Sequence, residues 1–254
     1  MTYHFNSELY ADPNLTEGVD YARRHRRHER FDDTLARTDD VPKTTILAPH
    51  GGGIEPGTSE LCLAVAGYHP AGLLQIPPAG VTHDYWMFEG LRARNNPELH
   101  VTSTGCDDGV AVSLCASSLN ALALHGFLPR PAGMAEEDQV VLVGGGHTIL
   151  RRYLLDGLGT AGFDARDAGQ HGELGGDARC NIVNRTLLGM GAQLELSKPL
   201  RDAMFTEHRR SRRKHTTTQL FWTFVAVCRD ALGRLEAEQI AARPELRCLG
   251  HRPS

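Results

Sequence analysis

The stretch Thr44-Thr45-Ile46-Leu47-Ala48-Pro49-His50-Gly51-Gly52-Gly53-Ile54-Glu55-Pro56-Gly57-Thr58-Ser59-Glu60 decides how this chain folds. Its first five residues form a β-branched, apolar run that stops at proline and glycine, which is the pattern of a buried strand entering a loop. Thr58 or Ser59 then caps a helix whose apolar positions are Leu61, Leu63, Ala64 and Val65. A strand, a glycine-rich loop and a helix in that order open an α/β fold.

The same alternation recurs downstream. Ala121-Leu122-Ala123-Leu124 reads as a strand ending at His125-Gly126, and Val140-Val141-Leu142-Val143 as one ending at Gly144-Gly145-Gly146-His147. Leu99 to Thr104 and Gln193-Leu194-Glu195-Leu196 read as further strands. Helices are expected over 111–119, 148–158 and 219–240. Strands alternating with helices predict a largely parallel, doubly wound sheet within one α/β domain, flanked by helices. Ligands of such sheets sit at the carboxyl ends of strands, where His50, His125 and His147 are all expected. The expected organisation is a single domain over 1–254. Residues 1–40 form a polar lead-in of helix and linker, 41–203 a catalytic core and 204–254 a helical extension.

Composition narrows the function. The chain has 254 residues, 41% hydrophobic and 23% charged, with a net charge of −4. A chain of this length buries a core without staples, so a metal site points to catalysis. The six cysteines show no CxxC pair, and only Cys106 lies in a polar, Gly- and Asp-rich stretch. Two basic clusters, residues 23–28 and 209–214, read either as solvated surface or as a field that attracts a polyanion. Asp32, Asp33, Asp39 and Asp40 follow the first cluster and offset it. The negative balance argues against a dedicated nucleic-acid binder. No apolar run approaches the ~18 residues of a membrane helix, and the first residues lack the apolar segment of a signal peptide. The expectation is therefore a cytoplasmic protein with no membrane partner, unless lysis releases it.

Zinc hydrolases need three nitrogen or oxygen ligands and one open position. His50 and Glu55 flank a turn whose glycines let both side chains aim at one ion. Three glycines before a helix also cradle phosphate, but this loop lacks the Gly-Lys-Ser/Thr ending, and Glu55 would repel an anion. His125 supplies a third ligand if its strand neighbours that of His50; His100 and His147 compete for the role. His100, inside the expected strand 99–104, suits support of a ligand through a hydrogen bond. Glu195 faces opposite to Leu194 and Leu196 by the period of two. It reads equally as a general base and as the partner of Arg185 or Arg201 in an ion pair.

Residues 48–60 resemble the signature loop of the poly-γ-glutamate hydrolase family. The resemblance continues through Gly18-Val19-Asp20-Tyr21, Phe88-Glu89-Gly90, residues 99–104, Leu124-His125-Gly126-Phe127, Asn181-Ile182-Val183-Asn184-Arg185 and Gln193-Leu194-Glu195-Leu196, covering about residues 17–203. It implies a zinc carboxypeptidase-like fold with zinc held by His50, Glu55 and His125, and Glu195 as general base. It also implies that Asn184, Arg185 and Arg201 grip a substrate carboxylate. Three places depart from the family pattern: Phe127 replaces a tyrosine, Gly105-Cys106-Asp107-Asp108-Gly109 replaces a Phe-Asp-Glu-Pro-like stretch, and residues 144–147 replace a Gly-Gly-Leu-Asp-like turn. The expected activity is hydrolysis of amide bonds beside a carboxylate, in an acidic peptide or polymer. Hydrolysis of small N-acyl amino acids and non-enzymatic nucleic-acid binding are the alternatives.

Overall fold

The first strand of the decisive stretch is buried along its whole length, because it lies in the middle of a seven-stranded sheet. The computed structural model describes residues 2–28, 43–77, 80–170 and 172–242. Its strands are β1 (Tyr21–Arg26), β2 (Thr44–Gly52), β3 (Asp84–Gly90), β4 (Asn120–Phe127), β5 (Val140–Gly144), β6 (Asp164–Asp167) and β7 (Ala192–Ser197). Across the sheet they run in the order β1-β3-β2-β4-β7-β5-β6. The helices are α1 (Asn6–Ala11), α2 (Thr58–Val65), α3 (Gly109–Ala116), α4 (Thr148–Thr160), α5 (Lys198–Ala203), α6 (Arg210–Arg213) and α7 (Gln219–Ala242).

The period of two sorts each strand's side chains onto opposite faces. Ile46, Ala48, Leu122, Leu124, Leu194 and Leu196 join one buried cluster with residues of α2, α4 and α7. Phe221, Phe224, Val225, Cys228, Ala231, Leu232 and Leu235 recur every three or four residues along α7, which lays one apolar stripe over that face. Leu47, Trp86, Phe88, Ala121 and Ala123 face the other way, into a cluster with α1, α3 and Ile182.

The sheet is mixed. β2 pairs in parallel with β3 and β4, and β4 with β7, but β5 runs antiparallel to β7 and β1 antiparallel to β3. The reversal of β5 corrects the expectation that three strand-end histidines share one edge. Gly144, the end of β5, pairs with Gln193 near the start of β7. His147 is therefore carried to the amino end of β7, where its N–H donates to Gly191.

Two further expectations change. Residues 99–104 are not a strand; a 3₁₀ turn over Asn96–Leu99 leads into irregular chain whose Ser103 carbonyl accepts from the Ile182 N–H. The polar lead-in contains β1, an edge strand with only its Tyr21 fully buried. An edge strand is exposed along one side and so tolerates such a charged sequence.

The basic clusters are largely engaged. Arg23 pairs with Glu17 and Asp108, Arg24 with Glu89, and Arg212 with Glu207. Arg213 is buried; it meets Glu60 at 3.2 Å and donates to the Gly52 carbonyl at 2.8 Å. Asp32, Asp33, Asp39 and Asp40 lie outside the described residues. No helix among those residues is long and apolar enough to cross a membrane.

Candidate metal centre and its cavity

His50 lies near the end of β2, two residues before Gly52, and Glu55 follows it by five residues. The Glu55 N–H donates to the His50 carbonyl at 2.8 Å, closing the loop between them. Gly52 makes this bend possible. Its φ is +67°, and a Cβ there would lie 2.5 Å from the Gly90 carbonyl oxygen. Ser59, in the first turn of α2, accepts from the Gly52 N–H and ties the loop to the helix. Gly57, with φ of +102°, precedes α2 without a side-chain cap, so neither Thr58 nor Ser59 is the capping residue.

The His50 Nε2 donates to the Val101 carbonyl at 2.7 Å, which leaves Nδ1 as the electron-pair donor. That Nδ1 lies 2.9 Å from Glu55 Oε1 and 3.1 Å from Nδ1 of His125. His125 Nδ1 in turn lies 3.7 Å from Glu55 Oε2. Its Nε2 lies 3.3 Å from the Ser103 hydroxyl, so both rings have their outer nitrogen occupied. Electron-pair donors facing one another at these distances repel unless a cation or shared protons lie between them. The site is therefore chemically suited to a metal ion, and two imidazoles with one carboxylate suit zinc.

Burial alone would lift the Glu55 carboxyl, but His50 and His125 outweigh it and hold it well below the usual range. The Gly126 N–H also donates to its Oε2 at 2.8 Å. His125 is raised, because Glu195 and Glu55 outweigh the effect of burial. His100 comes close as well: ligand atoms of His50, Glu55 and His100 all lie within 4.8 Å of one another. Its ring centroid is 3.9 Å from that of His50, and its Nε2 is 3.8 Å from Glu55 Oε1. Burial and the neighbouring His50 push His100 down to about 3, so it is neutral near pH 7.

Glu195 sits beside His125 because β4 and β7 are parallel and in register, residue against residue. Side chains paired in this way share a face of the sheet. Burial pushes the Glu195 carboxyl up, with Glu55 adding to the effect and His125 and Arg201 opposing it, to about 7. His50, Glu55, His100, His125 and Glu195 open into a cavity of about 380 Å³, walled also by Thr102, Ser103, Thr104, Asp177, Asn181 and Gln193.

The remaining sequence candidates are placed elsewhere. Arg201 is buried behind Gly126 and donates to the carbonyls of Leu196 and Pro56. A Cβ on Gly126 would sit 2.4 Å from its guanidinium carbon. Asn184 accepts from Gly146 and Gly191 and donates to Gly176 and Ala178, so backbone groups occupy both ends of its amide. Arg185 is exposed and donates to the Cys106 carbonyl at 3.2 Å. None of the three lines the cavity, and no Lys or Arg does so among the described residues. Cys106 is buried, and burial raises its thiol. His147 accepts from the Leu150 N–H through Nδ1 at the start of α4.

Ser103 and Gln193 were not singled out from the sequence as site residues. Gln193 had a readable signal, since it lies two residues before Glu195 on the same strand face.

The family model described as poly-gamma-glutamate hydrolase matches residues 20–227. The SPbeta prophage-derived UPF0714 protein YoqZ of Bacillus subtilis (strain 168) is 34% identical over 193 residues, covering 76% of this chain and 63% of its own length. UPF0714 protein YndL of the same organism is 31% identical over 182 residues, covering 72% and 64%. The chain thus spans less than two thirds of the length of either relative. Among solved structures, a bacteriophage poly-gamma-glutamate hydrolase superposes with a TM-score of 0.73 at 28% identity, covering 92% of this chain and 97% of the other. A zinc-free apo form of YndL gives 0.74 at 27% identity, covering 92% and 98%.

Proposed function

The chain belongs to the poly-γ-glutamate hydrolase family, and from that premise we propose that it is a zinc-dependent hydrolase of amide bonds beside a carboxylate, γ-glutamyl bonds first among them. One observation carries the proposal: the two Nδ1 atoms and the Glu55 carboxylate converge, with Glu195 directly across the strand pair from His125. His50, Glu55 and His125 would hold the metal. Zinc in such a site polarises a carbonyl and lowers the pKa of a water to roughly 7.

The remaining chemistry falls to the chain's own groups. Glu195, raised to about 7, takes up a proton from the attacking water and returns it to the leaving amine. Val101 and Ser103 hold the outer nitrogens of the two histidines and fix their ring orientation. His100, neutral and lining the cavity, offers a hydrogen bond to the substrate carbonyl region. Arg201 joins the end of β7 to the Glu55 loop from behind. Arg185, an exposed residue, is our candidate for contact with a substrate carboxylate outside the cavity.

A cavity of about 380 Å³ also suits a second reading, hydrolysis of small N-acyl amino acids by the same centre. Assaying poly-γ-glutamate, γ-glutamyl oligomers and N-acyl amino acids side by side separates the two. The first reading expects turnover of polymer and oligomers that chelation abolishes and zinc restores. Cleavage confined to N-acyl amino acids would replace it with the second.

A further inference from the structure

Gln193 is almost wholly buried two residues before Glu195, and its amide has a fixed orientation. Its Nε2 donates to the Leu174 carbonyl at 3.0 Å and to Glu195 Oε1 at 3.1 Å. Its Oε1 accepts from Asn181 Nδ2 at 3.0 Å. Asn181 is fixed in turn, because its own Oδ1 accepts from the Val183 N–H at 3.1 Å. Exchanging nitrogen and oxygen in either amide would set a carbonyl against a carbonyl or an N–H against an N–H, so the chain of bonds has one polarity. Gly176, with φ of +65°, lies flat against this amide, and a Cβ there would come within 2.2 Å of Gln193 Cδ.

We infer that Asn181 and Gln193 form a positioning relay that commits Glu195 Oε1 to accepting a hydrogen bond and leaves Oε2 as the oxygen that takes up the catalytic proton. The inference rests on Glu195 being the base. In physical terms, a carboxylate on a flexible side chain needs one oxygen tied down if the other is to meet a water in a fixed direction. Residue 195 obtains that restraint from its own strand face and from the 3₁₀ turn over Ile182–Asn184, whose N-cap is Asn181. Two segments of the chain, 181–185 and 193–196, thereby act on one oxygen atom, although they lie apart in sequence.

Gln193→Met keeps the side-chain length and removes the donor. Asn181→Ser removes the relay one bond further back and leaves Gln193 in place. For turnover of poly-γ-glutamate by the zinc-loaded protein, kcat should fall about 10- to 100-fold in Gln193→Met, and less in Asn181→Ser, with KM within about twofold and zinc content unchanged. A crystal structure of Gln193→Met should show the Glu195 carboxylate displaced by ~1 Å or split over two rotamers; this readout needs no turnover. An unmoved carboxylate overturns the inference, as does a variant pair that retains kcat with metal bound. Should Gln193→Met not fold, Asn181→Ser and its structure decide alone. Glu195→Gln serves as the reference: if it turns over normally with zinc in place, the base assignment itself has failed. If it is inactive while both relay variants are active, only the relay has failed.

Discussion

Two histidines of this protein end strands in triple-glycine turns, and they have opposite fates. His50 lies near the end of β2 and meets Glu55 and His125 at the edge of a cavity. His147 follows β5 and caps α4, with its Nε2 buried and unpartnered among the described residues. Burial lowers His147, as fits a neutral imidazole used as a hydrogen-bond acceptor. Both are almost fully buried, and both local sequences look like ligand loops. What separates them is the direction of a strand: β2 is parallel to β4, whereas β5 is antiparallel to β7.

The sharpest test of this difference removes each histidine in turn. His50→Ala and His125→Ala should each lose bound zinc and all measurable turnover, whereas His147→Ala should keep both. Elemental analysis of the purified variants reads the outcome, and zinc lost from His147→Ala alone would reverse the assignment. Next in size is Glu195→Gln, which keeps shape but cannot accept a proton. Its kcat should drop ~10²–10⁴-fold at unchanged zinc content, measured on the substrate that the parent turns over fastest.

Effects on stability come next. Arg213→Ala leaves Glu60 buried without its partner, a loss of roughly 3–5 kcal/mol in denaturant melts. Glu60 is held by α2, directly after the His50 loop, so this variant should also weaken zinc retention. His147→Ala, which loses only a cap, should cost ~1 kcal/mol. A loss as large as that of Arg213→Ala would mean that the unpartnered Nε2 does more than the present geometry shows.

The last expected effect is in pH dependence and falls on the zinc-free protein alone. In zinc-free protein the folded Glu195 holds its proton up to about 7, whereas an unfolded glutamate releases it near 4.5. Its contribution is therefore fully present below pH 4.5 and is lost as pH rises through 7. Thermal melts of zinc-free parent and Glu195→Gln should accordingly diverge in favour of the variant between pH 5 and pH 8. Parallel curves would contradict the raised carboxyl.

The meeting of His50 with Glu55 was more legible in the sequence than the topology of the sheet. His50 and Glu55 could be read because glycines between a buried strand and a helix leave few other uses for such a pair. His125 alone could not be distinguished from His147, because hydrophobic alternation is the same whichever way a strand runs. Of the three strands not read from the sequence, β1 and β6 carry the polar sequences of sheet edges, Tyr21-Ala22-Arg23-Arg24-His25-Arg26 and Asp164-Ala165-Arg166-Asp167, whereas β3 is buried and follows a stretch of mixed Gly, Pro and aromatic residues. Residues 99–104 have strand-like composition, but their backbone bonds go to a histidine ring, to the Ile182 N–H and to local turns at Pro97 and Gly105. Arg201 and Asn184 stood in suggestive motifs, and only the structure shows both amide donors of Asn184, and the Nε and Nη1 of Arg201, turned to backbone carbonyls.

The face alternation of β7 also limits what changes in length the gene can accept. Gln193 and Glu195 point into the cavity, while Leu194 and Leu196 point into the α7 side of the core. Inserting or deleting one codon inside this strand would exchange the two sets, placing a carboxylate in the apolar layer and a leucine beside the histidines. A two-codon change preserves the parity of the faces. Length variation among viable variants of this strand should therefore come in steps of two, whereas the turn before it, at Leu187–Gly189, is exposed and free of that arithmetic.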